Sequence, residues 1–98
     1  MMCGGWTQEY QQVTTNVSND PNFIDVQQLV DTHQAKVGTH LSSEVKTLEA
    51  LRYKTQVVAG MNFMVECRLN GSDTVTLVIW RKLDGTSQLS KVNGTEVA

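Results

Sequence analysis

The sequence predicts an α+β domain in which an antiparallel sheet of four to five strands wraps across one α-helix, and three observations carry that expectation. One stretch near the N-terminus repeats its apolar residues at helical spacing. From residue 48 onward apolar residues recur at every second position instead. Asn-Gly and Asp-Gly pairs punctuate that second region where hairpins must turn. At 98 residues the chain supports a single domain with one modest core and no large cleft. The expected order is an N-terminal arm over 1–19, a helix over 20–38, antiparallel strands over 44–92 and a loose tail over 93–98.

Residues 1–19 are polar, with apolar positions at Trp6, Tyr10, Val13 and Val17. The last three have helical spacing, but a flexible arm is the favoured reading. Asp20 is a good N-cap and Pro21 suits the first helical position, where a missing N–H costs nothing. Phe23, Val26, Leu29, Val30, His33 and Val37 then form one apolar stripe, and Gly38 is the expected stop. The period next changes to two. Residues 48–55 alternate from Leu51 on, and Phe63, Val65, Cys67 and Leu69 alternate with Met64, Glu66 and Arg68. Asn70-Gly71-Ser72-Asp73 predicts a tight hairpin. A strand over 74–83 follows, with Val75, Leu77 and Ile79 on one face and Thr76, Val78 and Trp80 on the other. Asp84-Gly85-Thr86-Ser87 marks another turn before a short strand over 88–92.

Composition excludes several function classes. Eight basic residues against ten acidic ones give a net charge of −2, and the basic residues are scattered rather than gathered on one face, which argues against a nucleic-acid partner. No apolar run is long enough to span a membrane. The opening residues lack the basic and apolar regions of a secretory leader, so a cytoplasmic location is expected. Release from the cell stays open, because Asn16-Val17-Ser18, Asn70-Gly71-Ser72 and Asn93-Gly94-Thr95 fit the glycosylation acceptor pattern. Cys3 and Cys67 are too few for a disulfide scaffold and lack Cys-x-x-Cys spacing. Cys67 reads as an inert core thiol, and Cys3 as an exposed one able to form an intermolecular disulfide. His33 has no His or Cys three or four residues on, so a packed histidine is favoured over a ligand, and no metal or cofactor is expected. Cys3 with His33 or His40 makes a poor catalytic pair, because catalysis needs both groups held by rigid structure. The chain is not expected to be an enzyme.

One segment resists a purely structural reading. Gln56-Val57-Val58-Ala59-Gly60 connects two strands, yet it is apolar where turns are normally polar. Either these residues continue a long strand into the core, or they form an exposed apolar tip meant for a partner.

That pentapeptide resembles the Gln-Val-Val-Ala-Gly signature of the cystatins. The flanking Leu48-Glu49-Ala50-Leu51-Arg52-Tyr53-Lys54-Thr55 and Asn62-Phe63 are similar to the type 1, or stefin, branch, as is the opening Met1-Met2-Cys3-Gly4-Gly5. The resemblance covers residues 1–5 and roughly 21–92, and it implies a cystatin-like fold. It also implies a reversible, tight-binding competitive inhibitor of papain-like cysteine proteases of the cathepsin L and B type, which fills the active-site cleft with an N-terminal trunk and two hairpin loops. Carried onto this chain, Gly4 lies near the catalytic cysteine of the protease, with Met1, Met2 and Cys3 in the nonprimed subsites and Gly5 and Trp6 as further trunk contacts. Gln56, Val57, Val58, Ala59 and Gly60 form the first loop, and Leu83, Asp84 and Gly85 the second.

Two features depart from the stefin pattern. The segment between Gly4 and Pro21 is longer, so either residues 6–19 loop out or 7–17 is the true helix start. Asp84 places a charge in the second loop, which weakens or redirects that contact. The competing reading is therefore a non-inhibitory interaction module on the same fold. A homodimer is also expected, through opening of the apolar tip and exchange of the helix and first strand, or through Cys3. Trp80, opposite Leu77 and Ile79, reads as a half-exposed sheet residue more than a binding aromatic.

Overall fold

The computed structural model describes residues 5–7, 9–13 and 25–97. The expected start of the helix at Asp20 and Pro21, and the trunk residues Met1, Met2, Cys3 and Gly4, lie outside the described residues. The elements run β1 (Gln11–Gln12), α1 (Val26–Thr32), α2 (Gln34–Leu41), β2 (Leu48–Val58), β3 (Gly60–Leu69), β4 (Asp73–Arg81), β5 (Ser87–Val92) and β6 (Thr95–Glu96). The strands form one six-stranded sheet in sequence order, and every neighbouring pair is antiparallel.

Two short strands extend the expected four to five, and both correct expectations about the termini. The arm is neither free nor helical at residues 11–12, because Gln11 pairs with Tyr53 and Gln12 with Arg52. The tail also folds back. Asn93 and Gly94 take positive φ angles of 51° and 82°, and β6 then pairs with β5.

The single helix expected over 20–38 is two segments. The Asp25 side chain caps α1 by accepting from the Gln28 N–H at 3.1 Å. At His33 the backbone leaves helical geometry, with φ −108° and ψ 8°, and α2 starts from there. Gly38 does not end the helix, which continues to Leu41. A Cβ at Gly38 would stand 3.1 Å from the Ser43 carbonyl oxygen and 3.4 Å from Val45, so the glycine permits the chain to fold back closely after the helix.

The helices bury Val26, Val30 and Val37 on the inner face of the sheet. There they meet Phe63 and Val65 of β3, Leu77 and Ile79 of β4 and Leu89 of β5. Cys67 is fully buried in this core. The period-two alternation of β2 shifts at Leu51, where a bulge lets Ala50 pair with Cys67 and Arg52 with Glu66. Beyond the bulge Tyr53 packs against the core, its ring centroid 6.0 Å from that of Phe63. Gln27 serves the edge of β2 beside the bulge. Its amide accepts from the Ala50 N–H at 2.8 Å and donates to the Leu48 carbonyl at 3.0 Å, which supplies the bonds a neighbouring strand would otherwise make. α1 is thereby fixed against the sheet by polar as well as apolar contacts.

Candidate functional site: two loops and a docked arm at one end of the sheet

Three chain segments meet where β2 and β4 end. The β2–β3 hairpin is very tight: Val58 pairs with Gly60, and Ala59 alone stands between the strands. Val57 is 62% exposed, Ala59 is exposed and Val58 half-buried, so the apolar segment is a hairpin tip rather than a strand entering the core. Gln56 stays inside the ladder opposite Asn62, whose amide donates to the Gln56 side-chain oxygen at 3.0 Å. Gly60 is required twice over. Its φ of +98° is strained for any residue with a side chain, and a Cβ there would collide with the Arg81 carbonyl and stand 3.2 Å from the Lys82 Cα. The first tip therefore leans directly on the start of the second loop.

The second loop spans 82–86 and closes on itself. The Lys82 N–H donates to the Thr86 carbonyl at 2.8 Å, and the Gly85 N–H to the Lys82 carbonyl at 3.1 Å. Gly85 turns with a φ of +90°. Asp84 is exposed, yet its carboxylate accepts from the Thr86 N–H at 2.9 Å and from the Thr86 hydroxyl at 2.6 Å. These two bonds hold its pKa below the ordinary carboxylate value. Both bonds fall on the one carboxylate oxygen Oδ1. Leu83, next to it, projects into solvent at 83% exposure. Among the described residues Val57 and Leu83 are the large hydrophobic side chains left exposed, and they occupy neighbouring loops.

The arm reaches the same end. The Thr7 N–H donates to the Thr55 carbonyl at 2.9 Å, and the Thr55 N–H donates to the Thr7 hydroxyl at 3.2 Å. The Val13 N–H donates to the Leu51 carbonyl at 3.2 Å, so Thr7 and residues 11–13 all bond the edge of β2. Gly5 is exposed, with open space around the position of a Cβ. Trp6 is half-buried and borders a groove of about 470 Å³ together with Gln56, Asn62, Met64 and Val78.

The geometry agrees with a family assignment. Residues 12–96 match the model of the cystatin domain. The chain belongs to the cystatin family. Human Cystatin-A is 29% identical over 77 residues, 79% of this chain and 79% of that protein. Mouse Cystatin-A is 28% identical over 69 residues, 70% and 71% of the two chains, and pig Cystatin-A1 is 23% identical over 77 residues, 79% and 75%. These relatives place the chain with the type 1, or stefin, branch of a family of protease inhibitors.

The other reactive groups are held by the packing around them. Burial, aided by the charge of Glu66, pushes the Cys67 thiol up to about 12, so it is no nucleophile at neutral pH. His33 shares a 2.8 Å hydrogen bond with the Ser87 hydroxyl, and burial together with Lys36 lowers its pKa. Among the described residues no group of three His, Cys, Asp or Glu side chains could hold a metal ion. Sequence reasoning placed Asn62 in the stefin-like flank and Thr86 in a turn without giving either a role at the site, and it missed the bond made by Trp80. The Trp80 indole N–H donates to the Ala59 carbonyl at 2.9 Å, a contact between residues 21 apart that no local pattern signals.

Proposed function

We propose that this cystatin is a reversible, tight-binding competitive inhibitor of papain-like cysteine proteases of the cathepsin L and B type, and that it acts in the cytoplasm. The wedge consists of the trunk around Gly4 and Gly5, the first loop from Gln56 to Gly60 and the second loop from Leu83 to Gly85. One observation carries this reading: Val57 and Leu83 are exposed on adjacent loops at the end of the sheet where the arm is docked.

The chemistry of the segments suits the task. Full burial of a valine or leucine side chain against a cleft wall contributes about 1.5–3 kcal/mol each. Gly60 and Gly85 hold the loops in turns already formed before binding, so docking orders little chain. Asp84 adds a charge beside the exposed Leu83, but one of its carboxylate oxygens already accepts two hydrogen bonds from Thr86 within the loop. Gly4 and Gly5 let the trunk backbone approach the protease thiolate closely and turn away, so that no carbonyl sits in position for attack.

Titration of papain and of a cathepsin L-like protease tests the proposal. Stoichiometric, reversible and competitive inhibition is expected. An absence of inhibition at micromolar inhibitor would overturn it in favour of a non-inhibitory interaction module on the same fold.

A further inference from the structure

We infer that Trp80 is a positioning residue that sets the geometry of the first loop and its spacing from the second; the inference rests on the inhibitor reading. The first tip has very little of its own to hold it. Ala59 is the sole residue between the paired Val58 and Gly60, and neither Val57 nor Val58 nor Ala59 has a polar side chain. Among the described residues, the polar contact that the tip makes outside the β2–β3 ladder is the bond from the Trp80 indole N–H to the Ala59 carbonyl at 2.9 Å. Indole is a donor only, and its ring is large and rigid, so this bond fixes a direction as well as a distance.

The same ring is tied to the second loop. The Lys82 ammonium lies 5.3 Å from the centre of the Trp80 ring, within range of a cation–π attraction. Lys82 is also the residue whose N–H and carbonyl close the second loop on Thr86 and Gly85. Gly60 completes the arrangement, because a Cβ there would stand 3.2 Å from the Trp80 indole nitrogen and collide with the Arg81 carbonyl. Trp80 thus holds one loop with its edge and is covered by the first residue of the other. A shallow groove of about 310 Å³ bounded by Val58, Ala59, Asn62, Trp80 and Ser90 lies beside the tip.

The consequence for binding is preorganisation. Val57 and Leu83 must enter one cleft together, so their separation has to match it before contact, or the protein must order a loop at the moment of docking. An indole donor at position 80 keeps that separation fixed. A phenylalanine fills much of the same space but cannot bond Ala59.

The test compares wild type with Trp80→Phe, and with proteins carrying 5-fluorotryptophan, which keeps the N–H, or benzothienylalanine, which replaces it with sulfur, at position 80. Inhibition of papain is measured at 25 °C, where each variant is shown to be folded by circular dichroism. Trp80→Phe and the benzothienyl variant are expected to raise the inhibition constant about three- to tenfold, the range for loss of one hydrogen bond, and 5-fluorotryptophan to restore it. In NMR spectra the amide resonances of residues 57–60 and 82–86 are expected to broaden in Trp80→Phe while those of 70–72 stay unchanged. Equal inhibition constants across the set, with unchanged loop resonances, would overturn the inference. Should wild type fail to inhibit, the inhibitor reading fails by itself. The loop resonances then still decide whether Trp80 positions the tips.

Discussion

The sheet ends in hairpins of opposite chemistry. At the end remote from the arm, Asn70 turns β3 into β4 with a φ of 52°, and its side chain accepts from the Lys46 N–H at 2.7 Å and the Thr47 N–H at 3.2 Å. Its amide also donates to the Glu44 carbonyl at 3.0 Å. Asn93 repeats the device at the β5–β6 turn, accepting from the Thr76 N–H at 2.9 Å. These turns are polar, self-satisfied and tied to the rest of the molecule. At the opposite end, the first tip exposes Val57 and leaves its Ala59 carbonyl to a single distant indole. A turn that serves only the fold uses its side chains to satisfy backbone groups. A turn that keeps its side chains apolar and exposed gives up that stabilisation for surface.

The sharpest way to break this contrast is at Gly60, where fold and surface coincide. Gly60→Ala places a methyl group against the Arg81 carbonyl at a φ that side chains avoid, so the tip must move away from the second loop. We expect stability to fall by about 2 kcal/mol or more and the inhibition constant to rise at least about a hundredfold. Thermal melting and papain titration check the two effects. A variant that keeps wild-type inhibition would separate the tip from the binding surface.

A paired comparison separates the two ends more gently. Val57→Asp alters an exposed side chain with no structural bond. Inhibition is expected to weaken by about tenfold or more, equal to 1.4 kcal/mol, while the Tm moves by less than about 2 °C. Asn70→Ala does the reverse. It removes three side-chain hydrogen bonds and an asparagine from a left-handed position, so the Tm should drop by about 8–15 °C while inhibition at 25 °C stays within about twofold of wild type. Crossed results, with Val57→Asp unfolding the domain or Asn70→Ala releasing the protease, would abolish the division of labour between the ends.

The extent to which these ends were legible in the sequence follows the same division. Asn70-Gly71 announces itself locally, because the residues that need positive φ are the residues that supply it. The apolar tip at 57–59 stands out as a violation of turn composition, and the Gln-Val-Val-Ala-Gly resemblance is the source of the role proposed for it. The alternations at 63–69 and 75–79 fixed which side chains enter the core. Other features were invisible for a physical reason: they depend on contacts between distant residues. The break of the helix at His33 carries no Pro or Gly, and Gly38, which does look like a stop, is needed for close approach to Ser43 instead. The arm offered a polar sequence with no alternation, yet it pairs with β2 because that edge has backbone groups to satisfy. The Leu51 bulge and the Gln27 clamp are likewise tertiary solutions.

The smallest expected effect refines the contrast by pH. His33 shares its hydrogen bond with Ser87, the residue that opens β5 directly after the second loop and pairs with Arg81 just before that loop. Burial and the nearby Lys36 lower the His33 pKa below its ordinary 6.5. A lowered histidine pKa means that the folded state prefers the neutral ring, so the stabilisation is fully present above pH 6.5 and is lost as pH falls through the folded-state value. His33 is only partly shielded from solvent, so the expected change is small. It should nevertheless be local. On acidification from pH 8 to pH 5, amide resonances at 82–87 should move with the His33 titration while those at 70–72 remain in place, and His33→Gln should flatten the response. Equal movement at both ends would show that acid acts on the domain as a whole, whereas movement confined to 82–87 would make the base of the second loop the part of the apolar end that senses protons.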